Sequence, residues 1–412
     1  MMGDRGSIAR VGRRQLLRGG AAAGLVLALP RGARGATEPF RIGALNPITG
    51  AGAPYGTGMQ KAILFAVEEV NAAGGAGGRM LEVIAEDDQT SPQQGVLAAK
   101  KLIEVNKVQA ILGTWASGVT LAVMPLTDAA DLIEMNTSGA PAISTLDTKD
   151  LVWRFQATND QFGQAFAVLA EKYGFKRPAT MAFNNASGIG NADGFKKVWE
   201  AKGGKVVAGV VYEPNRPSYR SELQQVMAAK PDVIVTGSYL PDTTIILREW
   251  YQDGGDNKWI MPGWAANPDL VKALGPELTE GVITVDLVPN EHAGSYANFS
   301  AKYKQAMGAE GSTNVYAAMS YDMVMVLALA MEAAGPGADV KAINAKLREV
   351  ANPPGTKVYG FAEGKAALKR GKIDYDGASS RLDFDKYGDI TPSFAVSVIT
   401  KGELVRREIV SL

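Results

Sequence analysis

The chain has no cysteine and a single histidine in 412 residues, and these two shortages exclude more chemistry than any motif supplies. Without cysteine there is no disulfide, no thiolate nucleophile, no zinc-thiolate site and no lipidated cysteine. With His292 alone, no two-histidine metal site can be assembled, and a histidine-based triad would have to be built on that one residue. Its neighbours Glu291 and Gly294 put it in an expected surface loop. P-loop, H-E-x-x-H and G-x-S-x-G patterns are also missing, so catalysis has no obvious home. No charge-free apolar run reaches the ~20 residues that a membrane span needs. Net charge is lacking too, with 43 basic and 43 acidic residues.

That balance hides an asymmetry. Arg5, Arg10, Arg13, Arg14 and Arg18 precede the apolar run 21–29, and Ala33-Arg34-Gly35 offers small residues for cleavage, which reads residues 1–35 as a signal peptide. Gly12-Arg13-Arg14-Gln15-Leu16-Leu17-Arg18 matches a twin-arginine export signal; the plainer alternative is an ordinary secretion signal with adjacent arginines. Removing the seven arginines and one aspartate of this segment leaves 36 basic against 42 acidic residues, a net charge of about −6. No basic footprint for nucleic acid remains. The mature chain, of about 377 residues, is expected to be exported and soluble, not a lipoprotein, and built as two lobes.

What is present begins directly after that segment. Residues 40–45 read as a strand, and 46–56 is too rich in Gly and Pro to continue it. Ile63, Ala66, Val67 and Val70 then fall at i, i+3, i+4 and i+7, as an amphipathic helix requires. Residues 80–85 supply the next strand, so the unit is βαβ and predicts a parallel sheet. Ligands collect at the carboxyl ends of such strands.

The alternation continues through helices 92–106 and 119–131 and strands 108–112, 132–136 and 151–155, and it restarts at Asp160 with a helix and a strand 179–183. Strands follow at 206–211, 233–236, 259–261 and 282–285, with helices 218–229 and 243–253 between them. A helix-only block comes next, 295–307, 315–334 and 340–350, the last with Asp339 as expected N-cap, and the tail from Ser380 is strand-like. This order suggests a return to the first lobe and then to the second.

Several loops invite a functional reading. Ser187-Gly188-Ile189-Gly190-Asn191-Ala192-Asp193-Gly194 imitates a dinucleotide fingerprint, with Glu213 further on, but its spacing is G-x-G-x-x-x-G and it lies mid-chain. A plain strand-to-helix turn lining a cleft explains it better. Asp87 and Asp88 resemble a carboxylate pair, yet adjacent strand residues point to opposite faces, which favours capping or loop bracing. Ser117 and the amides after it stand at a helix N-terminus, a place that attracts a carboxylate, although Ser117 can equally be a simple helix cap. The turn Ser138-Gly139-Ala140 offers backbone donors after the next strand, at the same sheet edge, and two such loops favour an anion pocket. Tyr55, Trp115, Tyr239 and Trp264 all follow predicted strands beside Gly, Ser, Pro or Asn, which favours a lined cleft over a core.

Taken together, the chain resembles the branched-chain amino acid (Leu/Ile/Val-binding) family of solute receptors that feed ABC importers. The resemblance spans nearly the whole mature sequence. It is carried by Ile42-Gly43-Ala44-Leu45-Asn46-Pro47-Ile48-Thr49-Gly50, Val67-Glu68-Glu69-Val70-Asn71-Ala72-Ala73-Gly74-Gly75, Glu86-Asp87-Asp88, Pro231-Asp232-Val233-Ile234, Tyr375-Asp376-Gly377-Ala378, Leu382-Asp383-Phe384-Asp385 and Gly388-Asp389. It implies a type I periplasmic-binding fold: α/β, two doubly wound lobes with parallel central sheets joined by a three-crossing hinge. The expected lobes are 36–158 plus 289–391, and 159–288 plus 392–412. Ser117 and the turn Ser138, Gly139 and Ala140 would hold a ligand carboxylate, with Tyr55 beside the ligand side chain and Tyr239 reaching across from the second lobe.

Two positions depart from that pattern. Ser187 stands where the family usually has a tyrosine, and Trp264 stands near where an acidic residue usually pairs with the ligand ammonium. An ammonium buried without its partner is costly, which points to an aromatic or other small organic acid. The expected function is a periplasmic receptor that binds an amino acid or related small carboxylate in the interlobe cleft and delivers it to ABC permease subunits, as a monomer, with no catalysis, cofactor, metal or nucleic acid. The competing readings are an exported oxidoreductase holding a cofactor at the Gly188/Gly190 turn, and a ligand sensor of the same fold serving a signalling partner.

Overall fold

The computed structural model describes Glu38–Leu412, so the expected signal peptide lies outside the described residues. The first segment alternates β1 (Phe40–Asn46), α1 (Ala53–Ala72), β2 (Leu81–Asp87), α2 (Pro92–Lys100), β3 (Ala110–Thr114), α3 (Ser117–Ala129), β4 (Ile133–Asn136), α4 (Ala142–Leu146) and β5 (Val152–Arg154). Its strands form a parallel sheet of order β2-β1-β3-β4-β5. α1 starts inside the Gly/Pro run that was expected to be loop. Pro54 falls in its first turn, where a missing N–H costs nothing, and Gly56 lies so close to the Pro47 carbonyl that a Cβ would approach it to 2.0 Å. Ile63, Ala66, Val67 and Val70 are buried, as their spacing requires.

The pattern restarts with α5 (Asn159–Lys172), β6 (Pro178–Phe183), α6 (Ala186–Ala201), β7 (Gly209–Tyr212), α7 (Arg220–Ala228), β8 (Val233–Gly237), α8 (Leu240–Gln252), β9 (Lys258–Pro262), α9 (Pro268–Leu274), α10 (Pro276–Thr279) and β10 (Ile283–Leu287). The order β7-β6-β8-β9-β10 repeats that of the first sheet. Residues 206–208, expected as strand, stay outside it.

The helix-rich block is α11 (Gly294–Met307), α12 (Val315–Ala334), α13 (Val340–Asn344) and α14 (Leu347–Ala351), followed by β11 (Thr356–Val358), α15 (Phe361–Leu368) and β12 (Ile373–Tyr375). The single helix expected over 340–350 is two short ones, the first capped by Asp339 through the Ala342 N–H at 2.8 Å. α12 is long and apolar enough to cross a membrane by length and composition. It is instead buried on all sides from Val315 to Met331, packed on α1 and β3, as an all-round apolar helix in a core must be. Its one mid-helix charge, Asp322, accepts from the Tyr375 hydroxyl at 2.8 Å, the Ala378 and Ser379 amides at 2.8 and 2.7 Å and the Ser379 hydroxyl at 2.6 Å. That network fixes the Tyr375–Ala378 stretch, and burial still lifts the carboxyl to about 6.

The strand-like tail is shorter than expected: residues 380–393 form no strand, and β13 (Phe394–Thr400) and β14 (Glu403–Val410) pair antiparallel beyond β10. The second sheet therefore keeps the expected parallel centre, β7-β6-β8-β9-β10, and adds an antiparallel edge. The chain passes between the two sheets at 155–158, 288–293 and 391–393, with α5 packed on α6 and α11 on α1.

Candidate functional site

Both sheets reverse their strand order beside their first strand, between β1 and β3 and between β6 and β8, and such switch points open a crevice beyond the strand ends. Here the two carboxyl edges face each other. Asn267, the N-cap of α9, donates to the Tyr55 hydroxyl of α1 at 2.9 Å, and the rings of Trp115 and Tyr239 lie 5.3 Å apart, centre to centre. A narrow cleft of about 10 Å³ lies between them, lined from the first sheet by Trp115, Ser117, Gly139 and Gln156, from the second by Ser187, Tyr239 and Trp264, and from α12 by Tyr316.

On the first side, β3 runs into α3 through Trp115 and Ala116. Ala116 is the N-cap, so Ser117 is the first helical residue and caps nothing. Its hydroxyl accepts from the Ala140 N–H at 3.1 Å and ties the two donor loops together. Ser138 is occupied differently: its hydroxyl bonds the Trp115 carbonyl at 3.0 Å and the Thr120 hydroxyl, inside the wall. The Ser138–Ala140 turn is held from behind by Arg154, which is 1 % exposed. Arg154 Nη1 donates to the Ser138 and Ala140 carbonyls at 3.1 and 3.0 Å, and its Nε pairs with Asp389 at 2.8 Å. This explains the Gly388-Asp389 segment: its carboxylate compensates a buried guanidinium that shapes the turn. Gly139 has no room for a Cβ, which would come within 2.5 Å of Asn159 Oδ1.

On the second side, Tyr239 ends the turn after β8. Burial pushes its phenol up to about 12, and the Asn185 and Ser187 side chains, hydrogen-bonded to it, oppose that shift. Trp264 spends its indole N–H on the Ser238 carbonyl at 3.0 Å and packs edge-on to Phe162, so only its ring is offered to the cleft. Tyr55 is partly buried and packs on Trp115 and Tyr316 at 5.7 and 5.0 Å. It touches the aromatic wall rather than the cleft lining itself.

The Gly188/Gly190/Gly194 run lies within the first turns of α6. A Cβ on Gly188 would meet the Phe183 and Gly237 carbonyls at 2.4 and 2.7 Å, and one on Gly194 would meet Asp160 Cα at 2.9 Å. These glycines serve close packing of α6 on β6, β8 and α5, not a phosphate cradle. Asp87 braces the β1 loop, accepting from the Ile48 and Thr49 amides at 2.9 and 3.2 Å. No cluster of metal-ligating side chains occurs among the described residues, and His292 is exposed in the loop before α11.

Four residues of this region escape sequence reasoning. Tyr316 comes from the first turn of a helix that is apolar all round, and Gln156 from a connection without a motif. Asn267 reads as a helix cap. Asp286, on β10, is partly buried beside Gly263, and burial raises its carboxyl to about 6, while the Leu287 amide opposes the shift. Asp286 in turn adds to burial in pushing the Tyr55 and Tyr316 phenols up.

A family model described as periplasmic binding protein matches residues 39–368. A leucine-, isoleucine-, valine-, threonine- and alanine-binding protein of Pseudomonas aeruginosa is 27% identical over 344 residues, covering 81% of this chain and 88% of that one. Among solved structures, a leucine binding protein from Thermotoga maritima superposes with a TM-score of 0.77 at 24% identity, over 90% of this chain and 98% of that one. A solute binding protein of an ABC transporter from R. palustris, in complex with benzoate, superposes with a TM-score of 0.73 at 21% identity, over 90% and 96%.

Proposed function

The chain belongs to the periplasmic binding protein family and has its type I fold, and from that premise we propose that it closes on a small carboxylate in the cleft and delivers it to a membrane permease. The observation that carries this reading is the pairing, at one cleft, of the α3 N-terminus and the Gly139 backbone with a wall of Trp115, Tyr239, Trp264 and Tyr316. Backbone donors at a helix start compensate a carboxylate, and flat rings compensate the apolar body attached to it. None of the cleft-lining residues is acidic. An α-amino acid would find no carboxylate for its ammonium among these lining residues, and burial holds the nearby Asp286 toward its neutral form, which favours an organic acid over the amino acids named for the Pseudomonas relative and agrees with the benzoate of the R. palustris neighbour.

The two lobes of this reading are 36–158 plus 289–391, and 159–288 plus 392–412, hinged where the chain crosses between the sheets. Closure adds Tyr239, Ser187 and Trp264 to contacts already made by the first lobe, and that difference is what shifts the open-to-closed population. The protein works in the periplasm, as a monomer that binds and releases without chemistry. A thermal-shift screen of branched-chain amino acids against aromatic and aliphatic acids tests this. Ligands present at a hundredfold excess over their Kd stabilise by about 2.7 kcal/mol, so a true ligand raises the melting temperature by several degrees. A response to amino acids alone would defeat the organic-acid assignment, and no response to any carboxylate would defeat the function.

A further inference from the structure

Beside its donors the cleft holds an unused acceptor. Gln156 lies between β5 and α5, is 4 % exposed and lines the cleft, and its Oε1 has no hydrogen-bond partner. Buried amide oxygens are nearly always paired, because an unpaired one costs about 1–3 kcal/mol. Around it the protein has already spent its own donors. The Asn159 amide N–H goes to the Gly139 carbonyl at 2.6 Å, and the Asn159 side-chain N–H group goes to Ser187 Oγ at 3.2 Å and Asn191 Oδ1 at 2.7 Å. Asn159 Oδ1, fully buried, is itself unpaired. The Trp264 N–H is held by Ser238, and the Tyr239 hydroxyl is engaged with Asn185 and Ser187.

We propose that Gln156 Oε1 receives a neutral hydrogen-bond donor on the solute, so that the ligand is a hydroxyl-bearing carboxylic acid and Gln156 is the residue that selects the hydroxyl. The inference rests on the small-carboxylate reading of the cleft and adds the second polar group. A carboxylate fits the donors at Ser117 and Gly139. An ammonium does not fit the Gln156 acceptor, because a neutral amide leaves its charge uncompensated. A hydroxyl needs one acceptor and brings no charge. A site built to bond a hydroxyl discriminates strongly against the analogue lacking it, since the buried partner is then left unpaired.

The test is titration calorimetry at pH 7 on the mature chain with two matched sets: benzoate against its 2-, 3- and 4-hydroxy derivatives, and 4-methylpentanoate against 2-hydroxy-4-methylpentanoate and leucine. Within at least one set, a hydroxy acid is expected to bind about tenfold or more tighter than its parent, and leucine more weakly than its hydroxy counterpart. In Gln156→Met, and in Gln156→Leu as a variant of different shape, the hydroxy acid is expected to lose more affinity than its parent, so that the preference shrinks to within about threefold. Equal binding of parent and hydroxy acid by the native protein overturns the proposal, as does a preference that survives both substitutions or a leucine affinity above that of its hydroxy acid. An equal loss for parent and hydroxy acid in both variants also overturns it, because the amide nitrogen would then be meeting the carboxylate. Binding of no carboxylate at all is the separate failure of the underlying reading.

Discussion

Ser117 shows how a single hydroxyl organises a site without capping the helix it starts. Its Oγ accepts from the Ala140 N–H and so fixes the spacing of the two loops on the first side of the cleft. Ser117→Ala is expected to weaken binding about tenfold through a lost hydrogen bond and a loosened loop pair, while the ligand-free protein loses about 1 kcal/mol of stability. Tyr239→Ala removes an aromatic wall packed on Trp115 and Phe183, and its affinity loss is expected to reach about a hundredfold. Calorimetry on both variants, with melting curves as the folding control, checks this; unchanged affinity in both would remove the site assignment. Strand-end turns made Trp115, Ser117, Gly139, Ser187, Tyr239 and Trp264 legible as candidates, because the switch-point rule needs only element order. Tyr316 and Gln156 were not legible. One lies on a helix whose apolar residues occupy every face, so no periodicity singles it out, and the other depends on where β5 ends beside β4.

At the scale of the element, the misread boundaries have local causes that periodicity does not carry. α1 absorbs part of a Gly/Pro loop because Pro suits a first helical turn, and the 340–350 helix breaks after five residues. The antiparallel β13 and β14 were foreseen as strands of the second lobe, but their direction depends on a connection that an apolar pattern does not describe. β4 holds a further element-level surprise in Glu134, which is wholly buried, with Oε2 accepting from the Thr127 hydroxyl at 2.7 Å and Oε1 unpaired. Burial lifts this carboxyl to about 8. The folded state thus keeps its proton across a range where the unfolded chain, near 4.5, has released it. By linkage, stability falls as pH rises from about 4.5 to about 8 and is level beyond. Glu134→Gln keeps the acceptor and removes the titration, so it is expected to flatten that slope and to stabilise the protein at pH 8 by roughly 1–3 kcal/mol. Melting temperatures from pH 5 to 8 measure it, and an unchanged slope would mean that Glu134 is ionised in the fold.

For the whole molecule, the question is what closure does to groups that meet only when the edges come together. Tyr55 from α1, Asn267 from α9, Tyr316 from α12 and Asp286 from β10 form such a meeting place. Asp286 sits there at about 6 because burial disfavours its charge, and on the closing-receptor reading an opened cleft returns it to water and to the ordinary range near 3.9. The closed form then binds the Asp286 proton more tightly than the open one. Closure is fully relieved of this penalty below about pH 4, loses ground as pH rises, and carries the whole penalty above about 6. A shift from 3.9 to about 6 gives at most about a fourfold gain in ligand affinity between pH 7.5 and 5.5, the larger part of the relief coming below pH 5.5, and because Asp286 keeps some exposure, solvent screening reduces the gain to about two- to fourfold. Asp286→Asn should bind at pH 7.5 more tightly than the native protein does even at pH 5.5, because the native carboxyl still carries part of the penalty there, and its affinity should no longer follow pH over that interval, in which a benzoate-like ligand stays ionised. Affinity that rises with pH in the native protein, or a pH profile that the substitution leaves unchanged, would place the proton elsewhere and free Asp286 to act as a charged partner of the ligand.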